Sequence, residues 1–237
     1  MADSSMILGQ RLGEWCGHGP VLEQDIALTN IALDLIGEAR NYYHYLAETE
    51  DLHEDDYPMK RDVRAFKNVL LAELPNGNWA DTMMRQFMFD CWHYYHLEGM
   101  ISSKDTRLAA VAKKSIKEAS YHLTFSSDWV VRLGDGTDES HQKVQIALDN
   151  LIPYFEEFFL PESYEQYCTQ KGISPDLTEV KRNAEIRFSE VIKTATLMKP
   201  EKYFSKKGGK SGLHTEHLGF ILADMQFMQR AYPGAEW

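Results

Sequence analysis

The chain is poor in cysteine, in positive charge and in long apolar runs, and each shortage excludes something. Its 237 residues contain three cysteines, Cys16, Cys91 and Cys168. None forms a CxxC pair, and an odd count suits a reduced interior better than a disulfide framework. No apolar run approaches the ~18 residues that crossing a bilayer requires. The opening "MADSSMILGQRLGEW" has neither a charged start nor an apolar stretch, so no secretory signal is expected there. A soluble, cytoplasmic protein is the expectation. Basic residues number 25 against 36 acidic ones, a formal charge of −11, which argues against a nucleic-acid footprint. An anionic substrate held by a basic partner is left open. Alternating β-branched runs are nearly absent, which argues against sheet.

What is there reads as helix. Hydrophobic residues make up 43% of the chain, enough for one substantial core, so a single domain over residues 1–237 is expected. Apolar residues recur at spacings of three and four. Pro20 precedes a long helix from about Val21 to Glu48. A turn around Asn76-Gly77 leads into a second, from about Asp81 to Ser102. "KDTRLAA" opens a third that stops at Gly134 and Gly136. A fourth runs from about Ser140 to Phe159, with Pro153 as a kink. The stretch between "LPESY" and "KKGGKSG" is less regular, and a last helix spans about Leu213 to Arg230. Long helices joined by short turns predict an all-α fold, an antiparallel four-helix bundle with additional flanking helices.

A helix turns ~100° per residue, so spacing assigns faces. Asp34 shares a polar stripe with Glu23, Ala27, Asn30, Glu38 and Asn41. Leu22, Ile26 and Leu33 flank it on one side, and Leu28, Ile31 and Leu35 on the other. The stripe fits a solvated face and equally a polar strip pointing into a bundle. Asp90 in "QFMFDCWHYYHLEG" is centred on an apolar face with Met83, Phe87, Tyr94, Leu97 and Ile101, so it should be buried and partnered. A metal, His93, Gln86 or a basic side chain from a facing helix are the candidates. Glu118 and His122 also sit among apolar neighbours. Asp149 falls with Gln142, Gln145, Ile146 and Ile152.

Ferritin-like di-iron proteins take a carboxylate from each of two helices and a Glu-x-x-His from each of two others. Carboxylates bridge and neutralise the two cations, and each iron takes an imidazole. Here the first helix offers Asp34 or Glu38. The second offers Asp90-x-x-His93, with a shortened acid. The third offers Glu118 with His122 at i+4. The fourth has Asp149, but Ile152 stands where a histidine should be. The one literal Glu-x-x-His, Glu50 to His53, lies in an acid-rich connection and reads as solvated. The pattern is that of a degenerate metal site filled by hydrogen bonds or salt bridges.

Other motifs fail. Gly209-Lys210-Ser211 resembles the end of a P-loop, but Phe204 occupies the required earlier glycine and no strand precedes it. Gly208, Gly209 and Gly212 are better read as a turn into the last helix; Lys206, Lys207 and Lys210 form a local basic spot, a partner contact or, the preferred reading, solvated lysines. His214 and His217 in "HTEH" share a face, yet supply too few ligands for a metal. Tyr42, Tyr43 and Tyr45 point at several angles, which suits an interface or extra core packing.

Several long strings carry a resemblance: "GQRLGEWCGHGPVLEQDIALTNIALDLIGEARNYY", "LPNGNWADT", "IKEASYHLTFSSDWVVRLGDGTDES" and "GLHTEHLGFILADMQFMQR". Together they resemble the PaaC-type subunits of the bacterial multicomponent phenylacetyl-CoA ring-1,2-epoxidases. The resemblance implies a ferritin-like fold and a non-catalytic, structural subunit of a di-iron monooxygenase in phenylacetate catabolism. It implies no cofactor in this chain and no catalytic activity alone. The di-iron centre and the CoA thioester would belong to a related catalytic subunit. Electrons would come from NADPH through a flavin and iron–sulfur reductase. The expected partners are that catalytic subunit and the other components, and, when the chain is alone, a second copy of itself; neither nucleic acid nor membrane is expected. No catalytic residue is carried over. Two rivals stand beside this reading: an active di-iron oxygenase with unusual ligands, and a helical binding or regulatory module without an oxygenase partner.

Overall fold

The computed structural model describes residues 1–235. Helix, 3-10 turns included, accounts for 73% of the described residues, and among them there is no strand, so the fold is all-α as expected. In chain order the helices are α1 (Ala2–Gly13), α2 (Leu22–Glu50), α3 (Asp56–Lys60), α4 (Leu70–Glu73), α5 (Trp79–Met100), α6 (Thr106–Gly134), α7 (Asp138–Phe155), α8 (Ser163–Gln170), α9 (Leu177–Thr194) and α10 (Glu216–Ala231). The chain forms two compact units, Met1–Pro75 with the segment from Gly208 onward, and Asn76–Lys207.

In the first unit α1 lies along α2, α4 packs on α1, and α10 packs on α3. Met6, Ala39 and Tyr43 form a core, with Ile36, Tyr57 and Met225 against it. A buried acid ties it together. Asp3 accepts from the Tyr43 hydroxyl at 2.7 Å, from the Lys67 amide at 2.7 Å and from the Arg61 guanidinium. Burial pushes its carboxyl up, but Arg61, Tyr43 and Lys67 outweigh that and hold it below its ordinary value. Tyr42 and Tyr43 are both buried and supply core, whereas Tyr45 is half-buried.

In the second unit α5 packs against α6, α7 and α9. Sixteen of its 22 residues are buried, so it is enclosed on nearly every side. Asn78 and Asp81 close a capping box at its start. Asp105, Thr137 and Asp176 cap α6, α7 and α9. Phe188 of α9 stacks on Phe87 of α5 and on Phe155 of α7, with centroids 5.7 and 4.8 Å apart.

Several helices depart from the sequence reading. The periodicity predicts nothing before Val21, yet α1 is present. Its serines and glycines are weak helix formers, and burial of Ile7, Leu8 and Leu12 overrides them. The stretch read as less regular holds α8 and the 18-residue α9. The apolar stripe of α9 is narrow and set among charges, which dilutes its signal. The fourth helix ends at Phe155, two residues beyond Pro153, and a 3-10 turn follows.

Candidate functional site

The second unit contains the residues that most invite a chemical reading. Asp90 is 1% exposed. Gln86, one turn earlier on α5, donates from Nε2 to Oδ1 at 2.7 Å. Ser126 on α6 donates its hydroxyl to Oδ2 at 2.7 Å. Burial pushes the carboxyl up to about 6; His122, Ser126, His93 and Gln86 oppose that rise without cancelling it. His93 and His122 are buried, and Glu118 is half-buried. Asp149 is exposed on α7 and accepts from Gln145 at 2.8 Å, while Ile152 is wholly buried. The position that would need an imidazole thus carries a hydrocarbon in the core, and the nearby acid faces water.

The stripe around Asp34 belongs to the first unit, and it divides. Glu23 and Asn30 are exposed, Asp34 is half-buried, and Glu38 is buried and accepts from the Ser5 hydroxyl at 3.1 Å. The two apolar flanks also divide: Leu28, Ile31 and Leu35 are buried, whereas Leu22, Ile26 and Leu33 are exposed. Among the described residues no three His, Cys, Asp or Glu side chains gather as a metal-ion site. With both Asp90 oxygens engaged by protein donors and Ile152 in place of a ligand, this donor set does not fit a two-iron centre. Glu50 and His53 are exposed, as their acid-rich context predicts.

Another buried carboxylate escaped the sequence reading. Glu73, at the end of α4, is fully buried. Its Oε1 accepts from the Thr215 amide at 2.7 Å, and its Oε2 meets His214 Nδ1 at 3.0 Å and Asn68 Nδ2 at 3.1 Å. His214 Nε2 lies 2.9 Å from the Phe66 carbonyl. Both nitrogens of His214 therefore serve the fold, which removes it as a metal candidate. The signal for Glu73 was an acid inside the apolar run "VLLAELP". Gly208 at φ 134° and Gly212 at φ 87° shape the turn before α10, as expected. Lys210 within that turn is buried, contrary to the solvated reading, because Gly209 and Gly212 on either side of it are packed inward.

The whole chain, residues 1–237, matches the family model described as phenylacetic acid catabolic protein. The chain belongs to that family. Its fold is ferritin-like. The chain is also 46% identical, over 238 residues, to a protein of Escherichia coli (strain K12) named as one of the subunits of 1,2-phenylacetyl-CoA epoxidase. The match covers 100% of this chain and 96% of that relative. Among the described residues no helix is long and apolar enough to cross a membrane.

Proposed function

We propose that this member of the phenylacetic acid catabolic family is a non-catalytic, structural subunit of a multicomponent di-iron monooxygenase that epoxidises the ring of phenylacetyl-CoA. Its role is to pack against the catalytic subunit and hold that subunit's ligand-bearing helices in place. Asp90 carries the reading. It occupies the place of a ligating acid on α5, yet its two oxygens are bound by Gln86 and Ser126. The composition supports it further: a chain with 36 acidic and 25 basic residues is poorly suited to hold the phosphates of CoA, so that task falls to a partner. α10 exposes Phe220 and Phe227, at 65 and 60%, with Met228 beside them. Aromatic residues and methionine are enriched at subunit interfaces. Glu216 and Asp224 rim this row, which asks for a basic surface opposite.

The test is to purify the chain alone and together with the catalytic subunit. The chain alone should hold far less than one iron and show no oxygenase activity, and it should co-purify stoichiometrically with the catalytic subunit. Iron near two per chain, or failure to co-purify, would overturn the reading.

A further inference from the structure

The exposed flank of α2 poses a separate question. Leu22, Ile26 and Leu33 are 72, 51 and 61% exposed on a helix whose opposite flank is core. At ~100° per residue these three, with Gly37 and Arg40, lie within about 60° of one another. Gly37 sits mid-helix, and a Cβ there would meet nothing within 4 Å. Glycine weakens a helix interior relative to alanine, and nothing inside this chain requires it at this position. Close approach of another backbone would require it.

We infer that this α2 face pairs antiparallel with the same face of a second copy of the chain. The argument is self-complementarity. One register sets Ile26 against Gly37 of the second copy, Asn30 against Leu33, and Glu23 against Arg40. Two-fold symmetry makes each pairing twice. Ile26 fills the notch that Gly37 leaves. Leu33 and its symmetry mate flank the axis. Glu23 is exposed and has no ion pair among the described residues. Arg40 donates only its Nε, to Glu54 at 2.6 Å, and its side chain is 72% exposed. Its two terminal nitrogens are thus available for a bidentate contact with Glu23 of the second copy. The helices would cross at about 20°, the shallow packing class. Glu23 and Arg40 then lie ~13 Å from the crossing point, where the axes have separated by only a few ångströms. The aromatic row of α10 lacks this property. Setting Phe220 against Phe227 of a second copy brings Asp224 beside its own symmetry mate, a like-charge contact.

The test is sedimentation equilibrium on the full chain, from micromolar to sub-millimolar concentration. The wild type should form a dimer. Glu23→Arg and Arg40→Glu should each weaken it about tenfold or more, and the double exchange should restore it. Gly37→Leu improves helix propensity, so folding is not at stake, and it should still weaken the dimer by closing the seat of Ile26. Leu33→Glu should abolish self-association and leave capture of the catalytic subunit intact. A monomeric wild type, charge exchanges without effect, or a double exchange that does not restore the dimer would overturn the inference. So would Leu33→Glu abolishing capture of the catalytic subunit while self-association persists, since the face would then belong to that partner.

Discussion

Glu73 and Asp90 are both carboxylates with almost no exposure, one in each compact unit, and the protein satisfies them by opposite means. Glu73 is met by an imidazole, a backbone amide and a side-chain amide, and the imidazole is itself anchored on a carbonyl. One proton must lie between Glu73 and His214, and a second on His214 Nε2, for both contacts to be hydrogen bonds. That is a bridge between distant stretches of the chain. Asp90 is met by an amide and a hydroxyl, neither of which carries charge. Its carboxyl rises to about 6, since burial outweighs the nearby His122 and His93 together with these two donors. The contrast separates two uses of a buried acid. The first fastens segments together. The second sits between neighbouring helices of one unit, held by a side-chain amide and a hydroxyl.

The largest expected effect breaks the first half of the contrast. Glu73→Ala removes the acceptor for His214, Thr215 and Asn68 at once. Leaving three buried donors without their shared acceptor costs about 3–5 kcal/mol. Urea denaturation should show a loss of that order. A loss below about 1 kcal/mol would mean that water replaces the carboxylate and the site is not closed.

The second effect tests the claim that Asp90 has no charged partner strong enough to hold its carboxyl at the ordinary value. Its carboxyl is raised from 3.8 to about 6 in the folded protein. The folded state therefore binds the proton more tightly than the unfolded state between those values. Stability from this group is full below about pH 4, falls as pH rises toward 6, and stays flat above, a loss of about 3 kcal/mol in total. Asp90→Asn keeps the shape, with its oxygen accepting from Ser126 and its amide donating to Gln86 Oε1 once the Gln86 amide turns over. The difference in stability between wild type and variant should favour the variant at pH 7 and vanish near pH 4. A variant less stable than wild type at pH 7 would show that a cation, bound or built in, compensates the carboxylate.

These sites differ in how far the sequence alone reveals them. Asp90 was legible because an acid centred on an apolar helical face announces its burial, and Gln86 was legible as its neighbour one turn away. Ser126 was not, since pairing α5 with α6 in the right register depends on tertiary packing. Glu73 hid in a four-residue helix too short to show a face. Its partner His214 lies 141 residues away, beyond the reach of any local pattern. α2 shows a subtler limit. Its two apolar flanks look equivalent in sequence, and only the structure shows that one is core and the other surface. The same holds for Lys210, whose charge suggests solvent until the turn around it is seen to be buried. Helices α5, α6 and α10 were placed to within a few residues because their caps and stops are written in Asn78, Asp105, Gly134 and Thr215.

The smallest expected effect sharpens the contrast at a single atom. Ser126→Ala removes the donor to Asp90 Oδ2 and adds no bulk. The protonated acid loses one modest hydrogen bond, while the ionised acid loses a charge-assisted one, which is about twice as strong. The variant should therefore lose about 1–2 kcal/mol at pH 7 and less near pH 4. The Asp90 carboxyl should move further up, visible as a shift of its carboxyl resonance in a pH titration. Glu73 offers no such single-atom control, because its contacts are shared among three donors and removing one leaves the others in place. If Ser126→Ala left the titration unmoved, the hydroxyl would be a bystander. The polar environment of Asp90 would then rest on Gln86, His93 and His122 alone.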